Sequence, residues 1–273
     1  EILVGDWSSD VCSSDLFQAD GDILVSVTNS SQSLDVLRNG LREPQSGSSR
    51  GGGAEGASSS SGDRDGASAA SMSAGRTGAG GSSSATASSS SDLWKAIREG
   101  QRPLFVNVNN AAAILHTLAA TKENSKVKVV FIASGADIYR VIDQLDAKKH
   151  TVVIPPRVET IPNSQNLINV PRMLAEAKIP FMFSTSLGQS EFRAQQDAPL
   201  FAVGLLVRGG LASDQALAGL TLGPAKLLGL EKEVGSLETG KQANFIILDD
   251  APFGVSTGVC SVYVEGKPIY ESQ

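Results

Sequence analysis

The chain has 273 residues, a net charge of −6 at pH 7 and 41% apolar residues, enough for one large domain or two small ones. It shows no basic patch with interleaved aromatics, so nucleic acid is not an expected partner. No apolar run approaches the roughly 20 residues of a membrane helix, so a membrane is not expected either.

Residues 1–16 are set aside first. Asp6-Trp-Ser-Ser-Asp-Val-Cys-Ser-Ser-Asp-Leu16 reads as the translation of a short-read sequencing adapter, a segment not evolved as protein. Cys12 falls inside it, which leaves Cys260 as the single native cysteine. One cysteine permits no intrachain disulfide and no cysteine-based metal site. There is no start methionine or signal peptide, and the native N-terminus is expected upstream.

Residues 17–44 are a short segment left without a place in the architecture. Within it, Asp22–Thr28 predicts a strand and Ser33–Arg38 a short helix. Residues 45–91 contain no Val, Ile, Leu, Phe, Trp or Tyr. Such a Ser/Gly/Ala run cannot bury enough apolar surface to offset the entropy of ordering it, and it reads as a disordered linker.

From Asp92 to Gly229, strands and helices alternate. Asp92 is placed to cap a helix over Leu93–Glu99 that Gly100 stops. A strand over Pro103–Val108 follows, then a helix over Asn110–Glu123 with Ile114, Leu115 and Leu118 on one face. Next come a strand over Lys128–Ala133 and a helix over Ala136–Lys148. Ile138, Val141, Ile142 and Leu145 give that helix an apolar stripe. A strand over Thr151–Ile154 ends at Pro155-Pro156. In the helix predicted over Gln165–Ala177, Pro171 signals a kink or a late start. A strand over Pro180–Ser184 and helices over Pro199–Arg208 and Ser213–Leu222 complete the series.

The strands are continuous apolar runs, as a parallel sheet covered on both faces requires. Repeated strand–helix units fit either an open doubly wound sheet or part of a (β/α)₈ barrel. After Gly229 the pattern changes. Strands over Ala243–Leu248 and Ser261–Glu265, with a turn at Gly266–Pro268, describe a small β module over 230–273.

Several local patterns carry little chemistry. His116 and His150 have no second ligand at metal spacing and read as surface histidines. Gly235–Gln242 resembles a phosphate loop, but it ends in Gln and precedes a strand, so it reads as a turn. Gly254-Val-Ser-Thr-Gly258 matches G-x-S-x-G, yet no histidine follows Ser256 and it reads as a loop. Asp249-Asp250 reads as a turn ending a strand, and Asp143/Asp146 as a solvated helix face.

Five segments together resemble one family. They are Trp94–Asn109, Ala175–Ser186, Thr221-Leu-Gly-Pro-Ala-Lys-Leu-Leu-Gly-Leu230, Val234-Gly-Ser-Leu-Glu-Thr-Gly-Lys-Gln-Ala-Asn-Phe-Ile-Ile-Leu-Asp249 and Val262–Tyr270. They resemble the amidohydrolase superfamily, in particular its imidazolonepropionase-like members, over the C-terminal half of the family's length. The resemblance implies an α/β fold. Residues 92–229 would be a partial TIM (β/α) barrel of about strands five to eight, and 230–273 part of a C-terminal β-sandwich.

The resemblance also implies a reaction, metal-dependent hydrolysis of non-peptide C–N bonds. The family holds zinc or another divalent metal through a His-x-His pair on strand one, histidines on strands five and six, and an Asp after strand eight. At the corresponding positions this chain has Asn107, Ala133-Ser134-Gly135 and Thr185, and no counterpart of strand one. Neutral oxygen groups are poor zinc ligands. No metal, no other cofactor and no catalytic residue is therefore expected, and the family's reaction is expected to be absent.

The alternatives are a non-enzymatic small-molecule-binding or scaffold protein, or a non-functional fragment. A ligand would meet the strand ends at Asn107, Asn109, Ser134, Thr185 and Ser186. The partners to consider are that small molecule, a second copy of the chain, or an N-terminal half not contained in it.

Overall fold

The computed structural model describes residues 24–27, 31–42, 87–134, 136–184 and 199–272. The adapter-like residues 1–16 and nearly all of the predicted linker lie outside them. The chain forms a five-stranded parallel sheet in the order β1-β2-β3-β4-β7. Its strands are β1 (Leu24–Val27), β2 (Leu104–Val108), β3 (Val129–Ala133), β4 (His150–Ile154) and β7 (Phe181–Phe183). β1, whose partner the sequence did not reveal, pairs parallel with β2, Val25 opposite Val106 and Val27 opposite Val108.

The order follows the chain without a reversal. A doubly wound sheet has a point where strand order turns back, and these five strands contain none. Alternate residues of each strand enter one main core. Val106, Val108, Val129, Phe131, Val152 and Ile154 face α1 (Ser31–Leu41), α2 (Ala87–Arg98), α3 (Ala111–Thr121) and α4 (Val170–Glu176) there. The opposite face carries a smaller cluster of Phe105, Val130 and Ile132, with Val153 and Leu227 packed against it.

Helix α2 starts at Ala87, six residues earlier than predicted and inside the Ser-rich run. Ile97 is buried and Trp94 packs against the main core. Once that face is docked, propagation costs little even through serine, because the unfavourable step is nucleation. Trp94 lies over Gly40 of α1, and the Arg98 guanidinium donates to the Gly40 carbonyl at 2.6 Å. A Cβ at Gly40 would overlap the indole ring itself, a rigid group. Gly40→Ala should therefore lose about 1–3 kcal/mol of stability, despite the gain of roughly 0.5–1 kcal/mol that Gly→Ala usually brings inside a helix. A urea-unfolding midpoint equal to or above that of the parent would refute this packing.

Asn110 caps α3, its side-chain oxygen accepting the Ala113 N–H at 2.9 Å. Ile114 is buried as predicted, but Leu115 points outward with 38% of its surface exposed. The predicted helix over Ala136–Lys148 is a 3₁₀ helix over Ala136–Gln144. Its apolar positions are buried nevertheless. A period of three residues aligns Ile138 with Val141 and Ile142 with Leu145, so the same stripe serves either helix.

Of the two readings of Pro171, the late start is correct. α4 begins at Val170 with the proline in its first turn, where no N–H is missed. Asn169 serves two helices. Its oxygen accepts the Arg172 N–H at 3.2 Å, and its Nδ2 donates to the Leu206 carbonyl at 2.8 Å, near the end of α5 (Pro199–Arg208). The residues predicted as the start of α4 instead form β6 (Leu167–Ile168), paired antiparallel with β5 (Glu159–Thr160).

α6 (Ser213–Leu220) and α7 (Leu222–Leu227) lead to the β module, an antiparallel sheet in the order β10-β9-β8. It contains β8 (Phe245–Leu248), β9 (Val259–Val264) and β10 (Lys267–Glu271). The β9–β10 turn places Glu265 and Gly266 at φ 50° and 75°, the paired positive values that match the twist of a tight hairpin. Stacked rings of Phe245 and Tyr263, 4.6 Å apart, hold β8 to β9. Phe253, between β8 and β9, reaches the main core.

Candidate functional site

The carboxyl ends of β2, β3, β4 and β7 line up along one edge of the sheet. The Ser134 N–H donates to the Val108 carbonyl at 3.1 Å, and the Ser184 N–H to the Ile154 carbonyl at 3.0 Å. Asn107 stands between Val106 and Val108, on the face turned away from the main core, and is exposed. Asn109 is exposed too, and its side-chain oxygen accepts from Asn110 Nδ2 at 3.0 Å. Ser134 is half-buried. Asn107, Asn109 and Ser134 thus lie at the ends of the adjacent strands β2 and β3. Thr185 and Ser186 fall outside the described residues.

Three charged groups at this edge were not singled out from the sequence. Arg157 donates through Nε to Glu159 Oε1 at 2.5 Å and through Nη2 to the Ser134 carbonyl at 3.0 Å. Asp137 accepts the Ala111 N–H at 3.0 Å, where the positive end of α3 favours a carboxylate. The signal for the first pair was available. Arg and Glu two apart in an extended segment point to the same side. Both line a small recess with Ala133, Ile138, Ile154, Pro155, Val170 and Pro171, of about 10 Å³, room for no more than a water molecule.

These residues do not fit a zinc-type ion. Among the described residues, the strand ends offer amides and hydroxyls, and the two nearby carboxylates are committed, Asp137 to a helix end and Glu159 to Arg157. Among the described residues, no three His, Cys, Asp or Glu side chains come together. His116 is exposed on α3, as predicted. His150 is not the surface histidine expected. It is 8% exposed and opens β4, at the end of the sheet opposite this edge. Its Nδ1 accepts the Asp146 N–H at 2.8 Å and its ring lies 5.8 Å from that of Phe131. Burial is the main cause of its lowered pKa; Lys149 pushes the same way and Asp146 opposes.

The turn patterns keep their local roles. In the phosphate-loop-like segment, Lys241 donates to Ser236 Oγ at 2.5 Å and lies 3.6 Å from Glu238, with no helix behind it. Asp249 accepts the Gly258 N–H at 2.7 Å, closing the loop that contains Ser256.

Comparison with known proteins settles the ancestry of this scaffold. Residues 96–269 match the amidohydrolase family. The chain belongs to that family. Among its relatives, the N-acetylglucosamine-6-phosphate deacetylase of Homo sapiens is 38% identical over 63 residues, which are 23% of this chain and 14% of that protein. The imidazolonepropionase of Syntrophobacter fumaroxidans is 33% identical over 101 residues, covering 37% of this chain and 22% of the relative. An amidohydrolase from Thermotoga maritima superposes with a TM-score of 0.55 at 22% identity, over 67% of this chain and 47% of that one. The matched amidohydrolase segment thus spans less than half of each of these proteins, and the structural likeness speaks for the fold alone.

Proposed function

We propose that this amidohydrolase-family chain carries the family's scaffold without its metal-dependent hydrolysis of C–N bonds. One observation supports this reading above the others. Among the described residues, the sheet edge that would have to bind a metal presents Asn107, Asn109 and Ser134, and its two carboxylates already hold a helix terminus and an arginine. Hydroxide formation at neutral pH needs a cation bound tightly enough to acidify water, and these groups give such a cation little to bind. The relatives named deacetylase and imidazolonepropionase are evidence of descent.

In this reading the parallel strands are an arc of a (β/α) barrel, about strands five to eight with β1 preceding them. The sequential strand order supports that arc. Residues 92–229 form the arc's main body, 230–273 part of a β-sandwich, and 45–91 a linker whose last five residues already belong to α2. A second copy or an N-terminal half supplied separately would complete the barrel.

The test is metal analysis and a hydrolase screen on purified protein, after zinc loading and removal of excess metal. Much less than one zinc per chain and no turnover of amide, lactam or N-acetyl substrates is expected. One tightly bound zinc per chain with turnover would overturn the proposal.

A second reading rests on the same edge. Neutral hydrogen-bonding groups at Asn107, Asn109 and Ser134, extended in sequence to Thr185 and Ser186, suit a small polar ligand held without chemistry. Unchanged affinity for such a ligand in Asn107→Ala and Thr185→Ala variants would count against it.

A further inference from the structure

Arg157 and Glu159 form the shortest polar contact among the described residues at the carboxyl edge of the sheet, and the reactions considered above use neither. Among the described residues that directly follow β2, β3, β4 and β7 (109–110, 134, 155–159 and 184), Arg157 is the only cation. Its Nη2 is fixed by the Ser134 carbonyl, so the guanidinium is held in one orientation. Its Nε points at a carboxylate, that of Glu159. The two side chains are 27% and 17% exposed, within reach of solutes.

We propose that Arg157 is the recognition point for a small carboxylate-bearing molecule, and that Glu159 is an internal carboxylate occupying that position until the ligand displaces it. This deepens the strand-end ligand reading and rests on it. Carboxylate is the class favoured because a carboxylate already sits there in charge-assisted geometry, and the planar fork of arginine matches it. Ile138, Ile154 and Val170 wall the recess beside the pair, which suits a short apolar body on the ligand. With Glu159 in place the recess admits only a water, so binding requires Glu159 to leave. Its support is slight enough to permit this. Glu159 lies on β5, a two-residue strand whose partner β6 is also two residues long.

The probe is isovalerate, an anion with a small branched body, and its neutral counterpart isovaleramide is the control. Each is titrated into the full chain, following the Arg157 Nε–H resonance and the heat of binding. Isovalerate should shift that resonance and isovaleramide should leave it in place. Glu159→Gln removes the competing charge and should tighten isovalerate binding about fivefold, the worth of a partly exposed ion pair. Arg157→Lys keeps the charge, loses the fork, and should weaken binding below detection.

Equal response to both probes, no response to either, or no tightening in a folded Glu159→Gln variant overturns the proposal. Should Glu159→Gln fail to fold, the resonance shift in the unmodified chain still decides. Asn107→Ala separates the two readings. If it abolishes isovalerate binding while Arg157→Lys leaves binding intact, the assignment to Arg157 fails and the strand-end site stands. If neither variant changes the binding, both fail.

Discussion

Phe131→Ala is expected to cost about 3–5 kcal/mol of folding stability, the range for emptying an aromatic site in a packed core. Phe131 is fully buried at the middle of β3, the central strand of the five. It stands level with Val106 on one side and Val152 on the other, and all three enter the main core. Strands hydrogen-bonded on both edges have little freedom to collapse into the space left behind, so the cavity term should be near its full value. Single domains have only about 5–15 kcal/mol of stability in total, and this one change would remove a large part of it.

The control is Leu115→Ala on α3. Sequence periodicity places Leu115 in the same core, but it stands 38% exposed and should change stability by no more than about 0.5 kcal/mol. Urea unfolding with a shared slope reads both effects. Comparable losses in the two variants would mean that α3 is rotated about its axis from the orientation described here.

The contrast between these two residues shows what was legible beforehand. β3 was readable because Val129-Val-Phe-Ile-Ala133 is a short apolar run between polar ends, and burial on both faces leaves no alternation to misread. The boundary of α3 at Asn110 was readable, though not the capping role of its side chain, and Pro171 announced a break without deciding between a kink and a late start. Leu115 is exposed because the buried face of α3 is centred on Ile114, Thr117 and Thr121, and two of these are threonines whose hydroxyls donate to carbonyls of their own helix, so the apolar residues alone mark the face wrongly.

Other features depended on partners distant in the chain. The place of β1 could not be read, since a parallel pairing between Leu24–Val27 and Leu104–Val108 leaves no mark in either segment. The 3₁₀ form of Ala136–Gln144 was hidden because its apolar spacing satisfies both helix types. Asn107, Asn109 and Ser134 lie at or just past the strand ends because strand direction alone puts them there. Arg157 and Glu159 show in the sequence as opposite charges on one side of an extended segment, but the anchoring of Arg157 by the Ser134 carbonyl just past β3 depends on a partner distant in the chain. The burial of His150 was hidden for the same reason, since it depends on Phe131.

His150 makes the second large expected effect one of pH. Its Nδ1 accepts a backbone N–H, so the proton of the neutral ring is on Nε2, and the folded chain resists taking up a second one. The pKa is lowered from an ordinary 6.5 chiefly by burial, with Lys149 adding to the shift and the Asp146 carboxylate opposing it. The unfolded chain binds the proton more readily than the folded one, so acid favours unfolding. The contribution is fully present above pH 6.5 and is lost as pH falls below that value towards the lowered folded pKa. Most carboxylates titrate near or below about 4.3, which leaves the interval from roughly pH 5 to 6.5 to histidine. Unfolding free energies across that interval should decline as pH drops. His150→Phe should be less stable at neutral pH by about 1–3 kcal/mol, because the Asp146 N–H loses its acceptor, and should show a nearly flat profile over the same interval. Phe131→Ala should flatten the profile as well, by admitting water to the ring and returning its pKa towards the ordinary value. A decline of undiminished slope in His150→Phe would assign the acid sensitivity to other groups and remove His150 from that role.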